Sequence, residues 1–140
     1  MCLPWEIRML KGSCLCGTVN YEVHSELGPI IMCHCKICRK ANGTAYATNA
    51  PISKQGFKLL SGEQALAEFE STPGMLRIFC RNCGSPIYSR RPHLPDVIRL
   101  RLGTLDTPIT SKPAAHIFVD SKAEWEEIHD PLPQNPEWPP

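Results

Sequence analysis

Long hydrophobic runs are absent from this 140-residue sequence. No apolar run approaches the roughly 20 residues that a membrane-spanning helix needs, so the sequence does not predict a membrane protein. The first residues also lack the basic stretch followed by an apolar stretch that marks a secretory signal. We therefore expect a cytoplasmic protein, in a compartment that keeps its cysteines reduced.

Basic charge is not in excess either. The 15 Lys and Arg residues are balanced by 14 Asp and Glu residues, which gives a formal net charge of +1. Proteins that bind nucleic acids usually carry a basic patch or stripe, so we expect no nucleic-acid partner. The proportions of hydrophobic residues (42%) and charged residues (21%) predict a folded chain, and its length fits a single domain over residues 1–140.

Helices of ordinary length have little room, because 14 prolines and nine glycines interrupt the chain throughout. We predict an all-β protein of short strands, with one short helix over residues 37–41 that carries Cys38. Segment 62–70 stays undecided between a turn and a strand. The proline-rich tail from Asp130 is expected to lie on the surface, pinned by Trp125, with Trp138 as a second candidate. The predicted strands cover residues 18–23, 44–49, 56–60, 75–79, 86–89, 97–102 and 116–119.

Cysteine, by contrast, is plentiful, with eight residues in the chain. In a reducing compartment, patterned cysteines usually serve a metal site or catalysis rather than disulfides. Cys2 stands alone, and the other seven fall into three groups. These groups are Cys14 with Cys16, Cys33 with Cys35 and Cys38, and Cys80 with Cys83.

The first and last groups are pairs, and each pair is followed directly by a glycine. A chain that wraps around a metal tends to need positive φ after the second ligand, and glycine adopts it at the least cost. Structural zinc sites are closed and four-coordinate, so we predict one zinc ion held by the four thiolates of these pairs. The alternative is four buried structural cysteines without metal. The predicted ligands are Cys14, Cys16, Cys80 and Cys83.

The middle group, Cys33, Cys35 and Cys38, supplies three thiolates within a short segment. Zinc with three protein ligands keeps an open position, and open positions are where zinc chemistry occurs. We therefore predict a catalytic site at these three residues. His34 could close the shell only by folding back past both neighbouring ligands, and we expect it to point outward. A second closed site, completed by Cys2, is the alternative.

The three groups, in this order, resemble the glutathione-dependent formaldehyde-activating enzymes and the wider family that includes centromere protein V. The matching segments are residues 12–17, 33–40, 79–85 and 116–125, within a core of about residues 12–125. The resemblance implies a β-tent fold of small antiparallel sheets, with one structural zinc ion at the two pairs and one catalytic zinc ion at the middle group. It also implies carbon-sulfur lyase activity, in which glutathione adds to formaldehyde to give S-hydroxymethylglutathione. A non-catalytic zinc-stapled module that binds a protein is the alternative.

Cations near the middle group bear on the substrate, because zinc with three thiolates is itself anionic and would repel an acidic thiol such as glutathione. Lys36, Arg39 and Lys40 flank the group in sequence and could compensate this charge. Arg99 and Arg101 lie two residues apart, on one face of a predicted strand. We expect them to form a solvated strand face, with bidentate binding of a carboxylate as the alternative.

Other charged side chains are expected to have surface or packing roles. We expect His116 to be a packed strand residue, with the orientation of a substrate as the alternative. The predicted surface residues are Arg90, Arg91, His24, His93 and His129.

Overall fold

Ten short β-strands and one α-helix make up residues 9–140, the part of the chain that the computed structural model describes. Cys2 lies outside these residues. The prediction of an all-β protein is confirmed. The elements are β1 (Leu10–Ser13), β2 (Asn20–Val23), β3 (Ile30–Cys33), α1 (Lys36–Asn42), β4 (Ala47–Ser53), β5 (Phe57–Ser61), β6 (Leu66–Thr72), β7 (Met75–Cys80), β8 (Pro86–Arg90), β9 (Val97–Arg101) and β10 (Pro113–Ile117).

The strands form two sheets, as the fold class predicts. The smaller sheet has the order β1-β2-β5, and the larger has the order β10-β3-β4-β9-β8-β7-β6. Neighbouring strands are antiparallel except β10 and β3, which are parallel. This order places β4 two strands and β3 three strands away from β8. Cys33, at the end of β3, therefore shares a sheet with side chains from much later in the chain.

The main hydrophobic core lies between the two sheets. Tyr21 and Val23 of β2 pack with Ile87 of β8 and Leu100 of β9, and all four side chains are almost completely buried. Alternate residues of a strand point to the same face, so β2 and β9 each give one face to this core. A second, smaller group of buried residues consists of Cys33, Cys38, Ala47 and Ile117.

The helix α1 is fixed at both ends by local chemistry. The Cys35 sulfur caps its start by accepting a hydrogen bond from the Cys38 N–H, and Gly43 ends it at φ 65° with its own N–H bonded to the Arg39 carbonyl. Glycine takes this left-handed conformation readily, which is why helices often end on it. The predicted helix is confirmed. Within residues 9–140, no helix is long and apolar enough to cross a membrane.

Each predicted strand overlaps a strand of the structure, but β1 and β3 were not predicted. Segment 62–70, left undecided, contains a 3-10 turn at Glu63–Ala65 and the first part of β6. β6 pairs only with β7 at the edge of the larger sheet, and its residues are exposed or half-buried. Its strand conformation depends on the pairing with β7, which its own sequence does not specify.

The C-terminal tail runs beside β10. The N–H of His116 donates to the Pro133 carbonyl (2.9 Å), and the N–H of Phe118 donates to the Glu137 carbonyl (3.1 Å). The Trp138 ring then packs edge-on against Phe118, with 5.1 Å between the ring centroids. Trp125 remains two-thirds exposed (66%), so the tail is held by Trp138 and by backbone hydrogen bonds rather than by Trp125.

Candidate metal centres

The first cysteine cluster is built on two turns, of four and five residues, that each end on a glycine. Cys14 follows β1, and the N–H of Gly17 donates to the Cys14 carbonyl (3.0 Å). Cys80 ends β7, and the N–H of Gly84 donates to the Cys80 carbonyl (2.7 Å). Gly17 and Gly84 have φ of 80° and 81°, as their positions after the cysteine pairs predict.

These turns bring four sulfur atoms together, from Cys14, Cys16, Cys80 and Cys83, all within 4.8 Å of one another. The Cys14 and Cys16 sulfurs are 3.5 Å apart, and the Cys16 and Cys80 sulfurs are 3.8 Å apart. A disulfide needs about 2.05 Å. A metal with four sulfur ligands at about 2.3 Å needs sulfurs about 3.8 Å apart, so the residues fit a four-coordinate metal ion.

Polar groups of the chain surround this cluster. The Val19 N–H donates to the Cys14 sulfur (3.2 Å), and the Ser85 hydroxyl lies 3.2 Å from the Cys83 sulfur. The hydrogen bond with Ser85 lowers the pKa of the Cys83 thiol to about 5, whereas burial raises the pKa of Cys80 to about 11. The cluster therefore has hydrogen-bond donors for thiolates, although Cys80 needs a cation to ionise near neutral pH.

The second cluster forms where β3 passes into α1. Cys33 ends β3, Cys35 caps the helix and Cys38 lies in its first turn. The His34 N–H donates to the Ile117 carbonyl of β10 (2.9 Å), which fixes the backbone between the first two cysteines. The three sulfur atoms lie within 4.8 Å of one another and could hold a metal ion with three protein ligands.

Negative charge in the second cluster concentrates on Cys38. Hydrogen bonds from the Cys33 and Cys35 thiols, and then from the Arg77 guanidinium, lower the pKa of Cys38 to about 2. The Arg77 Nη2 lies 3.6 Å from the Cys38 sulfur. The pKa of Cys33 is raised, because its thiol donates to the neighbouring sulfurs. Even without a metal, this cluster therefore carries a thiolate beside a cation.

The second cluster opens into a cavity of about 210 Å³. Clefts of about 550 and 590 Å³ elsewhere on residues 9–140 contain none of the clustered cysteines. Phe118 and Trp138 form an aromatic wall of the cavity, and Asn49 of β4 lines it as well. The Asn49 Oδ1 is buried and has no hydrogen-bond partner among the described residues. Four cations complete the lining, and they are Arg77, Arg91, Arg99 and Arg101.

Strand register explains why arginines meet in this cavity. Ser89 of β8 lies opposite Arg77 of β7 on one side and opposite Arg99 of β9 on the other. Directly opposite residues share a face of a sheet, and Arg101 is on the same face because it lies two residues beyond Arg99. The small buried Ser89 leaves space between the two long side chains.

The cations that flank the cysteines in sequence do not line the cavity. Lys36, Arg39 and Lys40 all lie outside its lining, and Arg39 instead donates to the Ser121 carbonyl (3.2 Å). The solvated strand face expected for Arg99 and Arg101 is wrong, because both line the cavity and Arg101 is 7% exposed.

Two further arginines of the cavity were missed. Arg91 was expected to be plain surface charge but lines the cavity, while its neighbour Arg90 pairs with Glu68 at 2.7 Å. Arg77 is the one charged residue of β7, whose other residues are apolar. A charged side chain in such a strand indicates a polar or charged partner in the fold.

His34 belongs to a buried chain of polar groups. It is completely buried, and its Nε2 lies 2.8 Å from the Nδ1 of His116, whose Nε2 lies 2.9 Å from the Asp130 carboxylate. A carboxylate only accepts, so the His116 Nε2 donates to Asp130, and the direction of the bond between His116 and His34 follows from the tautomers of the two rings. Burial, and then His116, lowers the pKa of His34 to about 4, so the ring is neutral at pH 7.

His34 stays out of the group of clustered sulfurs, as expected, because its ring nitrogens are not among the clustered atoms. Its ring does not point outward, however, but is completely buried. His116 is packed, as expected. The three histidines expected at the surface are confirmed there, and His24 and His129 lie beside Glu22 and Glu127. The third is His93.

Comparison with known proteins gives consistent results. The family model described as glutathione-dependent formaldehyde-activating enzyme matches residues 9–121. A Halomonas elongata protein is 32% identical to this chain over 128 residues, and its name provisionally assigns it to the same enzyme type. The aligned residues cover 86% of this chain and 81% of that relative. An uncharacterized lyase of Schizosaccharomyces pombe is 27% identical over 78 residues, 56% of this chain and 55% of the relative. A crystal structure of a Rhodobacter sphaeroides protein superposes with a TM-score of 0.59 at 25% identity, covering 71% of this chain and 91% of that one.

Proposed function

The chain belongs to the family of glutathione-dependent formaldehyde-activating enzymes, as its sequence predicted, and from this premise we propose that it joins a small thiol to an aldehyde and cleaves the adduct. With glutathione and formaldehyde, the thiol sulfur forms a bond to the carbonyl carbon, and the thiol proton ends on the oxygen. The product is S-hydroxymethylglutathione, and the reverse reaction breaks the carbon-sulfur bond. This makes the protein a carbon-sulfur lyase.

The proposal includes two zinc ions with different roles. Cys14, Cys16, Cys80 and Cys83 would hold a structural ion, because these four sulfurs fit a closed four-coordinate site and two of them lie in the main core. The other site would be catalytic, at Cys33, Cys35 and Cys38. When bound there, zinc ionises a thiol at neutral pH and polarises a carbonyl oxygen. The single observation that carries the proposal is the opening of this three-sulfur cluster into a cavity lined by arginines.

The side chains of the cavity would bind and orient the substrates. Guanidinium groups of Arg99 and Arg101 suit the carboxylates of an acidic thiol, because their N–H groups match two carboxylate oxygens. The Asn49 Oδ1 needs a hydrogen-bond donor, and the hydroxyl of the adduct supplies one. Phe118 and Trp138 keep water from one side of the cavity.

Positioning must account for much of the acceleration. A free thiol with a pKa near 8.5 is about 3% ionised at pH 7, so complete ionisation contributes at most about 30-fold. Holding two reactants in the correct geometry can contribute far more than that. The residues that orient the thiol and the aldehyde are therefore as important to this function as the sulfur atoms of the cluster.

Exchange NMR with ¹³C-formaldehyde and glutathione tests the function, since this adduct also forms without a catalyst. Metal-containing protein should increase the rate of exchange between free formaldehyde and adduct at constant pH. Cys35→Ser should remove the increase while the protein stays folded, and Lys58→Gln, at an exposed position of β5, should keep it. No increase with folded, metal-containing protein would refute the lyase function and leave the non-catalytic zinc module as the better interpretation.

A further inference from the structure

The cavity beside Cys38 is unusual in the sign of its charge. Among residues 9–140, its lining includes Arg77, Arg91, Arg99 and Arg101 but no aspartate or glutamate. Arg77 donates to the Cys38 sulfur, and within the same residues none of the four arginines forms an ion pair with a carboxylate. Even if three thiolates offset part of this charge, the wall away from the cysteines stays cationic. The cavity therefore suits an anion.

Burial makes Arg99 and Arg101, which have no carboxylate partner among the described residues, a stronger indication of an anion site than surface charge would be. Arg101 is 7% exposed, and its recorded hydrogen bond goes to the Arg99 carbonyl at 3.2 Å. Burial lowers the pKa of both Arg99 and Arg101, that of Arg101 to about 10. Both remain charged at pH 7. A buried guanidinium without a counter-charge costs free energy, and an anionic ligand would offset that cost.

Trp138 holds two of these cations in place. The guanidinium carbons of Arg91 and Arg99 lie 5.0 and 5.4 Å from the centroid of its ring. Stacking on an aromatic ring uses the face of a guanidinium and leaves the N–H groups at its edge free for an acid. The cavity thus has preorganised donors for acidic groups, some distance from the three sulfurs.

The same wall disfavours a positively charged group. An ammonium bound in the cavity would meet four cations and no carboxylate from the lining residues. The volume of about 210 Å³ also lies below the range of roughly 300 to 1,000 Å³ that is usual for drug-sized ligands, which favours a compact molecule.

We propose that the cavity selects a compact thiol that carries two acidic groups and no free amine. This inference rests on the proposed thiol and aldehyde chemistry and names the substrate class. Mercaptosuccinate has this composition. Glutathione has the two carboxylates but also an ammonium group, which finds no acidic partner in the cavity. Replacing that ammonium by hydrogen, which does not enlarge the molecule, should therefore improve glutathione as a substrate.

Binding of succinate and aspartate tests the selectivity without any reaction. Calorimetry on metal-containing protein should show succinate binding at least about tenfold tighter than aspartate, since the two differ by one ammonium. Arg99→Gln should remove the preference, and Lys58→Gln should retain it. Arg91→Gln, at a half-buried position, provides the same test if Arg99→Gln does not fold. Equal binding of succinate and aspartate by the wild type would overturn the inference.

Exchange NMR then separates this inference from the proposed function. With formaldehyde present, mercaptosuccinate and deaminoglutathione, in which hydrogen replaces the ammonium, should each have a kcat/KM about tenfold or more above that of glutathione. Catalysed exchange at equal efficiency for all three thiols would leave the lyase function standing and refute the selectivity. Preferential binding of succinate with no catalysed exchange of any thiol would support an anion site and refute the lyase function.

Discussion

The two cysteine clusters have similar local chemistry and very different surroundings. The first joins turns from opposite parts of the sequence, and Cys14 and Cys80 lie in the main core between the sheets. The second comes from one short segment, and its three sulfurs face a cavity lined by cations. A cluster that closes a long loop contributes to folding, because its ligands are far apart in the unfolded chain. A cluster within one segment closes almost no loop, so its three sulfurs are available for chemistry at a smaller cost to stability.

The largest expected effect concerns this difference in stability. Cys14→Ser should lower the melting temperature by about 10 °C or more, because loss of a structural metal removes several kcal/mol of folding free energy. Cys35→Ser should lower it by much less while abolishing catalysis. Differential scanning calorimetry with elemental analysis measures both effects. Equal destabilisation by the two substitutions would end the distinction between a structural and a catalytic cluster.

Metal content provides the control for that comparison. Freshly purified wild type should contain about two zinc ions per chain, because the two sulfur sets cannot share one four-coordinate ion. Cys14→Ser and Cys35→Ser should each lose one. Thiolates also bind iron in iron-sulfur clusters. A visible absorption spectrum typical of such a cluster would therefore show that the cysteines hold iron instead of zinc.

The core around the first cluster should respond to alkaline pH. Tyr21 is 1% exposed, and burial raises its pKa to about 12 from an ordinary value near 10. The unfolded chain therefore loses this proton first, and the stabilisation is complete below pH 10 and disappears as pH rises towards 12. The complete loss, above pH 12, should be about 3 kcal/mol. Between pH 9 and 11.5, urea unfolding should show about 2 kcal/mol more loss in the wild type than in Tyr21→Phe, and an equal pH dependence of stability in both proteins would contradict it.

Arg77 should affect the second cluster alone. Its guanidinium donates to the Cys38 sulfur at 3.6 Å, and removal of such a supporting hydrogen bond typically weakens a metal site by about 10 to 100-fold. Arg77→Gln should therefore release one of the two metal ions to a chelator at least about tenfold more readily. The second ion should be retained as in the wild type. A change in retention of both ions would show that Arg77 acts through the whole fold.

Trp138 should produce the smallest effect. Its ring is half exposed and stacks with Arg91 and Arg99, an arrangement worth about 0.5 to 1 kcal/mol for each cation. Trp138→Ala should raise the KM for an acidic thiol by a few-fold and hardly change the melting temperature. Trp125→Ala is the matched control at an exposed position, and it should change neither quantity. An equal rise in KM for both variants would show that Trp138 and the C-terminal tail do not contribute to the binding site.

Local features of this molecule were predictable because they depend on neighbours in the chain. Glycines after the cysteine pairs predict the two similar turns, and Gly43 predicts the end of α1. The conformation of β6 depends on its pairing with β7, and the burial of His34 depends on a hydrogen bond to His116, 82 residues away. Residues that are close in the sequence do not identify such distant partners. For this reason, the sequence does not decide the conformation of segment 62–70 and wrongly predicts an outward side chain for His34.

The sequence by itself determined the all-β class, the division of seven cysteines into two sets and the family to which the chain belongs. Only the tertiary structure decided which cations face the second set. Lys36 and Lys40 are near it in sequence but outside the cavity, whereas Arg77 and Arg99 reach it because β7, β8 and β9 pair in one register. Spacing along a chain fixes which ligands can share a metal ion, but strand register fixes which distant side chains share a face, and a shift of one residue would turn those arginines to the opposite face of the sheet.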